Sequence, residues 1–267
     1  MSQVVLITGA SSGIGAAIAN FLHEKGYTVY GTSRNPSKNP STAFNMLALD
    51  VTQVSSMQNA VEKLIAQEGK IDYLINNAGM GITGPIEETP TQEIRRVFET
   101  NYFGALEMIK AVIPTMRKQR SGMVINITSI AGYMGLPYRG IYSATKGALG
   151  ITSEAYRMEL KEFNVKMTTV APGDFATNIA AGRYHTPIYE DSPYKKNYGN
   201  TLKLMDEHVD AGMNTEVMAK VIHNIMNTTN PKVHYRVGFF MQKFSIALKR
   251  ILPDTWYEKL LLKHYKL

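Results

Sequence analysis

Short apolar runs alternate with amphipathic stretches along the first two-thirds of the chain. Residues 4–8 predict a strand, because the apolar run Val4–Ile7 followed by Thr8 is typical of a strand buried on both faces. Residues 14–22 instead place apolar side chains at i, i+3, i+4, i+7 and i+8, the stripe of an amphipathic helix. The same reasoning predicts further strands at 27–32, 44–49, 71–75, 123–128 and 165–170, and helices at 54–68, 92–116 and 142–162, the second interrupted near Pro114. Strands that alternate with helices predict right-handed βαβ crossovers and a parallel sheet.

The length fits one α/β sheet with its helices. The chain has 267 residues, of which 44% are hydrophobic, so it can bury a sizeable core. It contains no internal repeat, linker or low-complexity segment. We therefore predict a single domain over residues 1–267.

Composition removes several classes of function. The chain has no cysteine, which excludes disulfides, thiolate metal sites and a cysteine nucleophile. Its six histidines show no metal-ligand spacing, so we predict no metal site. Only three residues precede the first strand, which leaves no room for a signal peptide, and no apolar run reaches about 18 residues. These features predict a cytoplasmic protein.

The net charge of +7 is concentrated at the end of the chain. Residues 232–267 carry eight basic residues against Asp254 and Glu258, but no recognisable nucleic-acid module accompanies them, so no nucleic-acid partner is predicted. Residues 239–267 are also apolar and predict basic helices with two apolar faces. One hypothesis is peripheral contact of this segment with anionic lipid; the alternative is a cap over a substrate pocket or a subunit contact. The first face holds Phe240, Phe244, Ala247, Leu248 and Ile251, and the second Trp256, Leu260 and Leu261.

A glycine-rich turn joins the first strand to the first helix. Gly9, Gly13 and Gly15 give the spacing G-x-x-x-G-x-G, one residue away from the G-x-G-x-x-G dinucleotide fingerprint. Such a turn bares backbone N–H groups and the positive end of the helix dipole, which suits a phosphate. Glycine also lets the backbone approach a pyrophosphate closely.

The same turn matches a second motif. Residues 9–13 read G-x-S-x-G, the nucleophile elbow of α/β-hydrolases, with Ser11 as the nucleophile. The position of the turn in the chain argues against this alternative. A hydrolase builds its oxyanion hole partly from a loop after an earlier strand, and here only residues 1–3 precede the strand. Motifs further along the chain distinguish these two interpretations.

Polar and glycine residues follow nearly every predicted strand, where a doubly wound sheet collects its ligands. After the second strand, where an NAD site usually has an acidic residue, the chain has Arg34. Arg34 can bind a 2′-phosphate, with help from Ser11 or Ser33, which favours NADP(H) over NAD(H). The alternative is that Arg34 is a solvated loop residue. The other strand ends carry Asp50 and Val51; Asn77, Ala78 and Gly79; Thr128 and Ser129; and Pro172 and Gly173.

Three residues could carry proton transfer. Tyr142 and Lys146 are four apart at the start of a helix and share one face, and Ser129 follows the preceding strand. A tyrosine titrates near pH 10, and a nearby ammonium lowers that pKa by roughly 1–3 units. The phenol can then exchange a proton with a carbonyl or alcohol while Ser129 holds the substrate oxygen.

Taken together, these motifs resemble the short-chain dehydrogenase/reductase family over about residues 4–180. The resemblance implies a Rossmann-type doubly wound parallel sheet of about seven strands with helices on both faces. It also implies a catalytic tetrad of Asn101, Ser129, Tyr142 and Lys146, in which Asn101 steadies a water-linked proton relay to the lysine. The candidate cofactor-binding residues are Gly9, Ser11, Ser12, Gly13, Ile14, Gly15, Ser33, Arg34, Asp50, Val51, Asn77, Ala78, Gly79, Tyr142, Lys146, Pro172, Gly173, Phe175 and Thr177.

Further details follow from the same resemblance. Phe175 stands where the family usually has valine or isoleucine, its backbone facing the carboxamide, and Thr177 matches a residue that contacts the cofactor. Residues 77–87 and 135–142 look like the hydroxysteroid and retinol dehydrogenase branch, which suggests a lipophilic substrate. Residues 174–213 correspond to a substrate lid; its four tyrosines suit such a substrate or pack the lid against the body. The family likeness also implies a homodimer or homotetramer.

The prediction from sequence is an NADP(H)-dependent oxidoreductase. It would interconvert a lipophilic ketone or aldehyde and its alcohol, with a steroid, a retinoid or a long-chain keto lipid as substrate. Reduction is the expected direction with NADPH. The rival hypotheses are an esterase with Ser11 as nucleophile and a nucleotide-binding sensor with little catalysis.

Overall fold

The computed structural model describes residues 2–38, 43–176, 182–210 and 212–267, with backbone alone for 206–210. Its strands are β1 (Val4–Ile7), β2 (Thr28–Ser33), β3 (Asn45–Ala48), β4 (Tyr73–Asn76), β5 (Ile82–Thr83), β6 (Met123–Ile127), β7 (Lys166–Pro172), β8 (Tyr184–His185) and β9 (His234–Val237). Its α-helices are α1 (Gly13–Glu24), α2 (Val54–Glu68), α3 (Thr91–Phe98), α4 (Gly104–Gln119), α5 (Gly140–Glu159), α6 (Lys195–Asp210), α7 (Thr215–Met226), α8 (Phe240–Ile251) and α9 (Asp254–Tyr265).

Seven strands form one parallel sheet in the order β3-β2-β1-β4-β6-β7-β9. The central strands are buried along their whole length because helices cover both faces. Ile18 of α1 and Ile222 of α7 pack on one face, and Leu64 of α2 and Val112 of α4 pack on the other. The predicted doubly wound Rossmann-type α/β fold is confirmed, and β9 is the seventh strand that the resemblance implied.

Helix α2 has the bounds that the sequence pattern predicts. It ends at Gly69, whose φ of +71° is the left-handed C-cap conformation that glycine adopts readily. Helical backbone runs without a gap over residues 91–119, so the prediction of a long helix over 92–116 is confirmed, but the break predicted near Pro114 is wrong. Pro114 lies within α4 on its exposed side, and the interruption is instead a π-helical turn, Glu99–Phe103, between α3 and α4.

Two buried amides join neighbouring strands at their carboxyl ends. Asn76 and Asn126 are partners in the β4–β6 register, and Asn76 Nδ2 donates to Asn126 Oδ1 at 2.9 Å. Asn126 Nδ2 donates in turn to Ser153 Oγ of α5 at 2.8 Å. This polar link ties the two central strands to the helix that carries Tyr142 and Lys146. Across the described ranges, no helix combines the length and the apolar character needed to cross a membrane.

Candidate active site

The glycine turn after β1 packs tightly against the loop after β4. Gly9 has a φ of +68°, and a Cβ there would lie 2.9 Å from Ala78 Cα. A Cβ on Gly15 would lie 2.3 Å from the Gly9 carbonyl oxygen, so glycine is required for this approach. Asn77 Nδ2 locks the two loops by donating to the carbonyls of Thr8 and Gly9, each at 3.0 Å. The N-terminus of α1 is thereby held at the edge of a cleft.

That cleft has a volume of about 940 Å³ and runs along the carboxyl ends of the strands. A helix N-terminus, a bare glycine backbone and several hydroxyl groups together fit a dinucleotide with its pyrophosphate. The candidate residues that line it are Gly9, Ser11, Ser12, Gly13, Ile14, Ser33, Arg34, Asp50, Val51, Asn77, Ala78, Gly79, Tyr142, Lys146 and Pro172.

Four of the candidate cofactor residues are not among those that line the cleft. Gly15 does not line the cleft but lets α1 pack against Gly9 and Asn77. Gly173 and Phe175 line a second cavity, described below, and Phe175 is buried there. Thr177 lies outside the described residues.

The loop after β2 brings more polar groups to the cleft than the sequence suggested. Exposed Arg34 borders it together with Asn35 and Lys38, opposite the serines of the glycine turn. Sequence reasoning missed Asn35 and Lys38, because a polar residue in a loop is usually solvated and carries no separate signal. Two cations and several hydroxyl groups can bind a phosphate.

The four predicted catalytic residues come together at the end of β6. Lys146 Nζ donates to the carbonyl of Ile127, the last residue of β6, at 3.0 Å. The Tyr142 phenol lies close to the Ser129 hydroxyl, which lowers the pKa of the phenol. Asn101 lies in the π-helical turn, and a Cβ on Gly79 would meet Asn101 Oδ1 at 3.2 Å and Lys146 Nζ at 3.4 Å. Asn101 and Lys146 therefore flank the same short stretch of backbone.

Burial governs the titration of this cluster. It raises the pKa of Tyr142, although Arg139, the Ser129 hydroxyl and Arg183 each lower it. Burial also lowers the pKa of Lys146 to about 8. The expectation that Lys146 lowers the pKa of the tyrosine is therefore not met in the protein alone, since desolvation dominates there. At neutral pH Tyr142 is a protonated phenol, which is a proton donor.

A second cavity of about 610 Å³ meets the cleft at Tyr142. Ser129 and Tyr142 supply hydroxyl groups at its inner end. Its walls are mostly apolar, and helices α8 and α9 close one side, as the cap alternative for the C-terminal segment expected. Apolar lining residues include Ile82, Ile130, Met134, Leu136, Phe175, Leu248, Tyr257 and Leu261.

The tyrosines of the predicted lid do not line this cavity. Residues 174–213 are described except for 177–181 and 211. Tyr198 is buried, and its phenol donates to the carbonyls of Thr83 and Thr186 at 3.2 and 3.1 Å. Tyr194 donates to Glu87 at 2.6 Å. In the described residues these two tyrosines pack the lid against the body, which was the alternative interpretation.

Three charged or polar residues near Tyr142 escaped sequence reasoning. The Arg139 guanidinium lies 5.7 Å from the centre of the Tyr142 ring and also lowers the pKa of the Tyr265 phenol in α9. Asp174 Oδ2 accepts a hydrogen bond from Gln242 Nε2 of α8 at 2.6 Å. Arg139 and Asp174 adjoin predicted motifs and could have been found by their position. Tyr265 carried no signal, because it is distant in sequence.

Known proteins resemble the chain over most of its length. The family model for short chain dehydrogenase matches residues 3–187. A 3-ketodihydrosphingosine reductase from Bacteroides thetaiotaomicron is 41% identical over 95% of this chain and 94% of its own length. Human retinol dehydrogenase 8 is 31% identical over 86% of this chain and 79% of its own length. This relative agrees with the predicted retinol dehydrogenase branch. An NADPH-dependent 3-dehydrocapnine reductase from Ornithobacterium rhinotracheale is 30% identical over 99% of this chain and 98% of its own length.

Solved structures agree with this grouping. A short-chain dehydrogenase from Streptomyces avermitilis has a TM-score of 0.85 and 29% identity, covering 100% of this chain and 97% of its own. The structure of ElxO with NADP bound has a TM-score of 0.73 and 26% identity, with coverages of 89% and 96%. The parallel sheet, the nucleotide cleft and these relatives lead to one conclusion: the chain is an oxidoreductase of the short-chain dehydrogenase/reductase family.

Proposed function

We propose that the protein reduces a long-chain keto lipid to its alcohol with NADPH. The observation that carries this proposal is the meeting of two spaces at Tyr142, a polar cleft suited to a dinucleotide and a cavity with mostly apolar walls. A substrate with a carbonyl at Tyr142 and a hydrocarbon chain along the cavity fits this arrangement. The relative named as a 3-ketodihydrosphingosine reductase supports a long-chain ketone over a steroid or retinoid.

In this proposal the four clustered residues divide the work. NADPH, when bound, supplies the hydride that reduces the carbonyl carbon. Ser129 donates a hydrogen bond to the carbonyl oxygen, and Tyr142 transfers its phenolic proton to that oxygen. Lys146 and Asn101 act behind Tyr142, where they return a proton to the phenol through water. The raised pKa of Tyr142 suits proton donation, and hence the reductive direction.

The preference for NADPH is part of the proposal. Arg34 and Lys38 border the cleft beside Ser11 and Ser33, and this group can bind a 2′-phosphate through charge-assisted hydrogen bonds. No carboxylate follows β2 to repel that phosphate. The relative described as NADPH-dependent and the NADP-bound structure of ElxO support the same preference.

Assembly and location complete the proposal. We expect a homodimer or homotetramer that packs through the helical segment 91–119 and α5, because Phe103, Ile151 and Met158 expose apolar side chains along these elements. We expect the enzyme in the cytoplasm, with a lipid surface as the source of its substrate. Family membership does not favour the Ser11 esterase, since Ser11 lies in the nucleotide cleft. A sensor without catalysis has no need for both Tyr142 and Lys146.

A substrate panel tests this function. Loss of NADPH absorbance is followed with 3-ketodihydrosphingosine in detergent micelles, with a steroid ketone and with retinal. We expect kcat/KM for the long-chain ketone to exceed that of the other two by roughly tenfold. This ratio corresponds to about 1.4 kcal/mol of differential binding free energy. Tyr142→Phe should lower turnover by about 100-fold or more while NADPH binding is retained. Faster turnover of the steroid or of retinal, or no NADPH oxidation with any of the three, would refute the proposal.

A further inference from the structure

Helix α8 turns an apolar stripe towards solvent. Phe240 and Ile251 are 70% and 76% exposed, whereas Ile246 on the opposite side is only 1% exposed and anchors the helix to the protein. Phe244 belongs to the exposed stripe, and its ring stacks on that of Phe240 with centroids 5.6 Å apart. Of the face that the sequence pattern identified, Phe240, Phe244 and Ile251 point outwards, whereas Leu248 lines the cavity. Exposed apolar patches of this kind mark interaction sites.

Basic residues flank this stripe. At 3.6 residues per turn, Lys243 and Arg250 lie along one edge of the stripe on α8, and both are exposed. Helix α9, which follows directly, also exposes the apolar side chains of Trp256 and Leu260, together with Lys259 and Lys263. The combination of an apolar stripe, an aromatic residue and flanking lysines is that of an interfacial helix on anionic lipid.

The substrate cavity opens within this region. Phe239, Met241 and Leu260 line the cavity, and all three are also exposed, Met241 by 66%. A side chain that both lines a cavity and contacts solvent stands at its opening. The α8–α9 surface, as we name it, therefore surrounds the entrance; it comprises Phe239, Phe240, Met241, Phe244, Lys243, Arg250, Ile251, Trp256, Lys259, Leu260 and Lys263.

We propose that the α8–α9 surface docks on an anionic lipid bilayer and that the substrate passes from the bilayer directly into the cavity. The second half of this inference rests on the proposed function, because a water-soluble substrate needs no such route. Charge argues for the bilayer as the occupant, since two copies of this chain would bring their basic edges together. Met241, Leu248 and Phe175 all line the cavity and give a hydrocarbon chain apolar contacts there.

Vesicle flotation tests the docking. The wild-type protein should float with vesicles of equimolar phosphatidylcholine and phosphatidylglycerol and should be released by high salt. The double variant Phe240→Ser, Ile251→Ser removes exposed apolar groups that do not line the cavity, and should lower partition by at least about tenfold. The double variant Lys259→Gln, Lys263→Gln should lower partition about fivefold for each charge removed.

Matched variants on other helices control for the loss of apolar side chains and of positive charges as such. Val54→Ser with Val217→Ser removes two exposed apolar side chains from α2 and α7, and Lys63→Gln with Lys118→Gln removes two exposed charges from α2 and α4. Both control proteins should partition like the wild type. Equal partition of the wild type and the Phe240→Ser, Ile251→Ser variant would overturn the docking proposal. So would a change of oligomeric mass in that variant, by light scattering, with partition unchanged, because the occupant would then be a second copy.

Turnover separates this inference from the proposed function. A short-chain, water-soluble 3-keto analogue should be reduced equally by the wild type and by the Phe240→Ser, Ile251→Ser variant. Reduction of 3-ketodihydrosphingosine embedded in anionic vesicles should fall with partition in that variant. If vesicle partition behaves as expected but neither ketone is reduced by the wild type, the proposed function is refuted and substrate entry with it, while the docking surface stands.

Discussion

The Asn101 side chain holds both backbone polar groups of Met80. Asn101 Oδ1 accepts from the Met80 N–H at 2.8 Å, and Asn101 Nδ2 donates to the Met80 carbonyl at 2.9 Å. Asn101 Nδ2 also donates to Thr145 Oγ1, next to Lys146, at 3.2 Å. A side chain in the π-helical turn thereby joins the loop after β4 to the start of α5, the two segments that border the active site.

Replacing Asn101 should therefore cost stability as well as turnover. Asn101→Ala leaves the Met80 amide and carbonyl without these partners in a partly buried place, and the free energy of unfolding should fall by about 1–3 kcal/mol. Urea denaturation measures this loss. Asn224→Ala, at an exposed position of α7, should change the value by less than about 0.5 kcal/mol. An Asn101→Ala protein as stable as the wild type would show that Met80 finds other partners.

The titration of Lys146 should appear in the stability of the whole protein. Its pKa is about 8 in the folded chain and 10.5 as the ordinary value, so between these limits the unfolded chain binds more protons than the folded one. Stability contributed by this group therefore rises with pH across that window, and is lost as pH falls through about 8. We expect the unfolding free energy of the wild type, relative to Lys146→Met, to rise by about 3 kcal/mol from pH 8 to pH 10.5. A difference that stays constant across this range would contradict a lowered pKa.

Cofactor choice should depend on Arg34. Arg34→Ala removes a charge-assisted contact worth about 1.5–3 kcal/mol, so NADPH binding should weaken by roughly tenfold or more while NADH binding is retained. Fluorescence titration with each nucleotide measures the two affinities. Arg95→Ala, an exposed arginine of α3 outside the cleft, is the matched control. Equal weakening of both nucleotides would place Arg34 away from the 2′-phosphate.

Two glycines should respond in opposite directions to the same substitution. Gly15→Ala forces a Cβ to within 2.3 Å of the Gly9 carbonyl oxygen and 2.4 Å of Asn77 Nδ2, and should lower the unfolding free energy by about 1–3 kcal/mol. Gly150 lies inside α5 with no atom within 4 Å of an added Cβ. Gly150→Ala should therefore raise the unfolding free energy by about 0.5–1 kcal/mol. Thermal and urea unfolding of both variants give the comparison, and destabilisation by Gly150→Ala would mean that α5 packs against something there.

Local patterns were sufficient for six of the seven strands of the sheet and for most of the cleft, whereas the position of β9 was not predicted. Each strand of the sheet core is a short apolar run, and the stop at Gly69 needs only the conformational freedom of one residue. The cleft residues could be placed because parallel strands bring their carboxyl ends to one edge. Tyr142 and Lys146 could be paired because residues four apart share a helix face.

Other features depend on contacts that no local pattern contains. The π-helical turn sets the Asn101 amide against Met80, 21 residues away in sequence, whereas Pro114 on an exposed side of α4 does not break the helix. The orientation of α8 could not be predicted from the sequence either. A hydrophobic period shows that Phe240 and Ile251 share a face, but it does not show whether that face meets the core or the outside. Tyr265 reaches Arg139 only because α9 folds back over the cavity.

The paired amides of Asn76 and Asn126 bear on how faithfully the sheet assembles. Strands β1, β4 and β6 are apolar and buried on both faces, so burial alone hardly distinguishes one alignment from the next. A slip of β6 along β4 by one residue would separate the two amides and leave buried polar groups unpaired, at about 1–3 kcal/mol for each group. The pair therefore favours the native register of β4 and β6 over an alignment shifted by one residue.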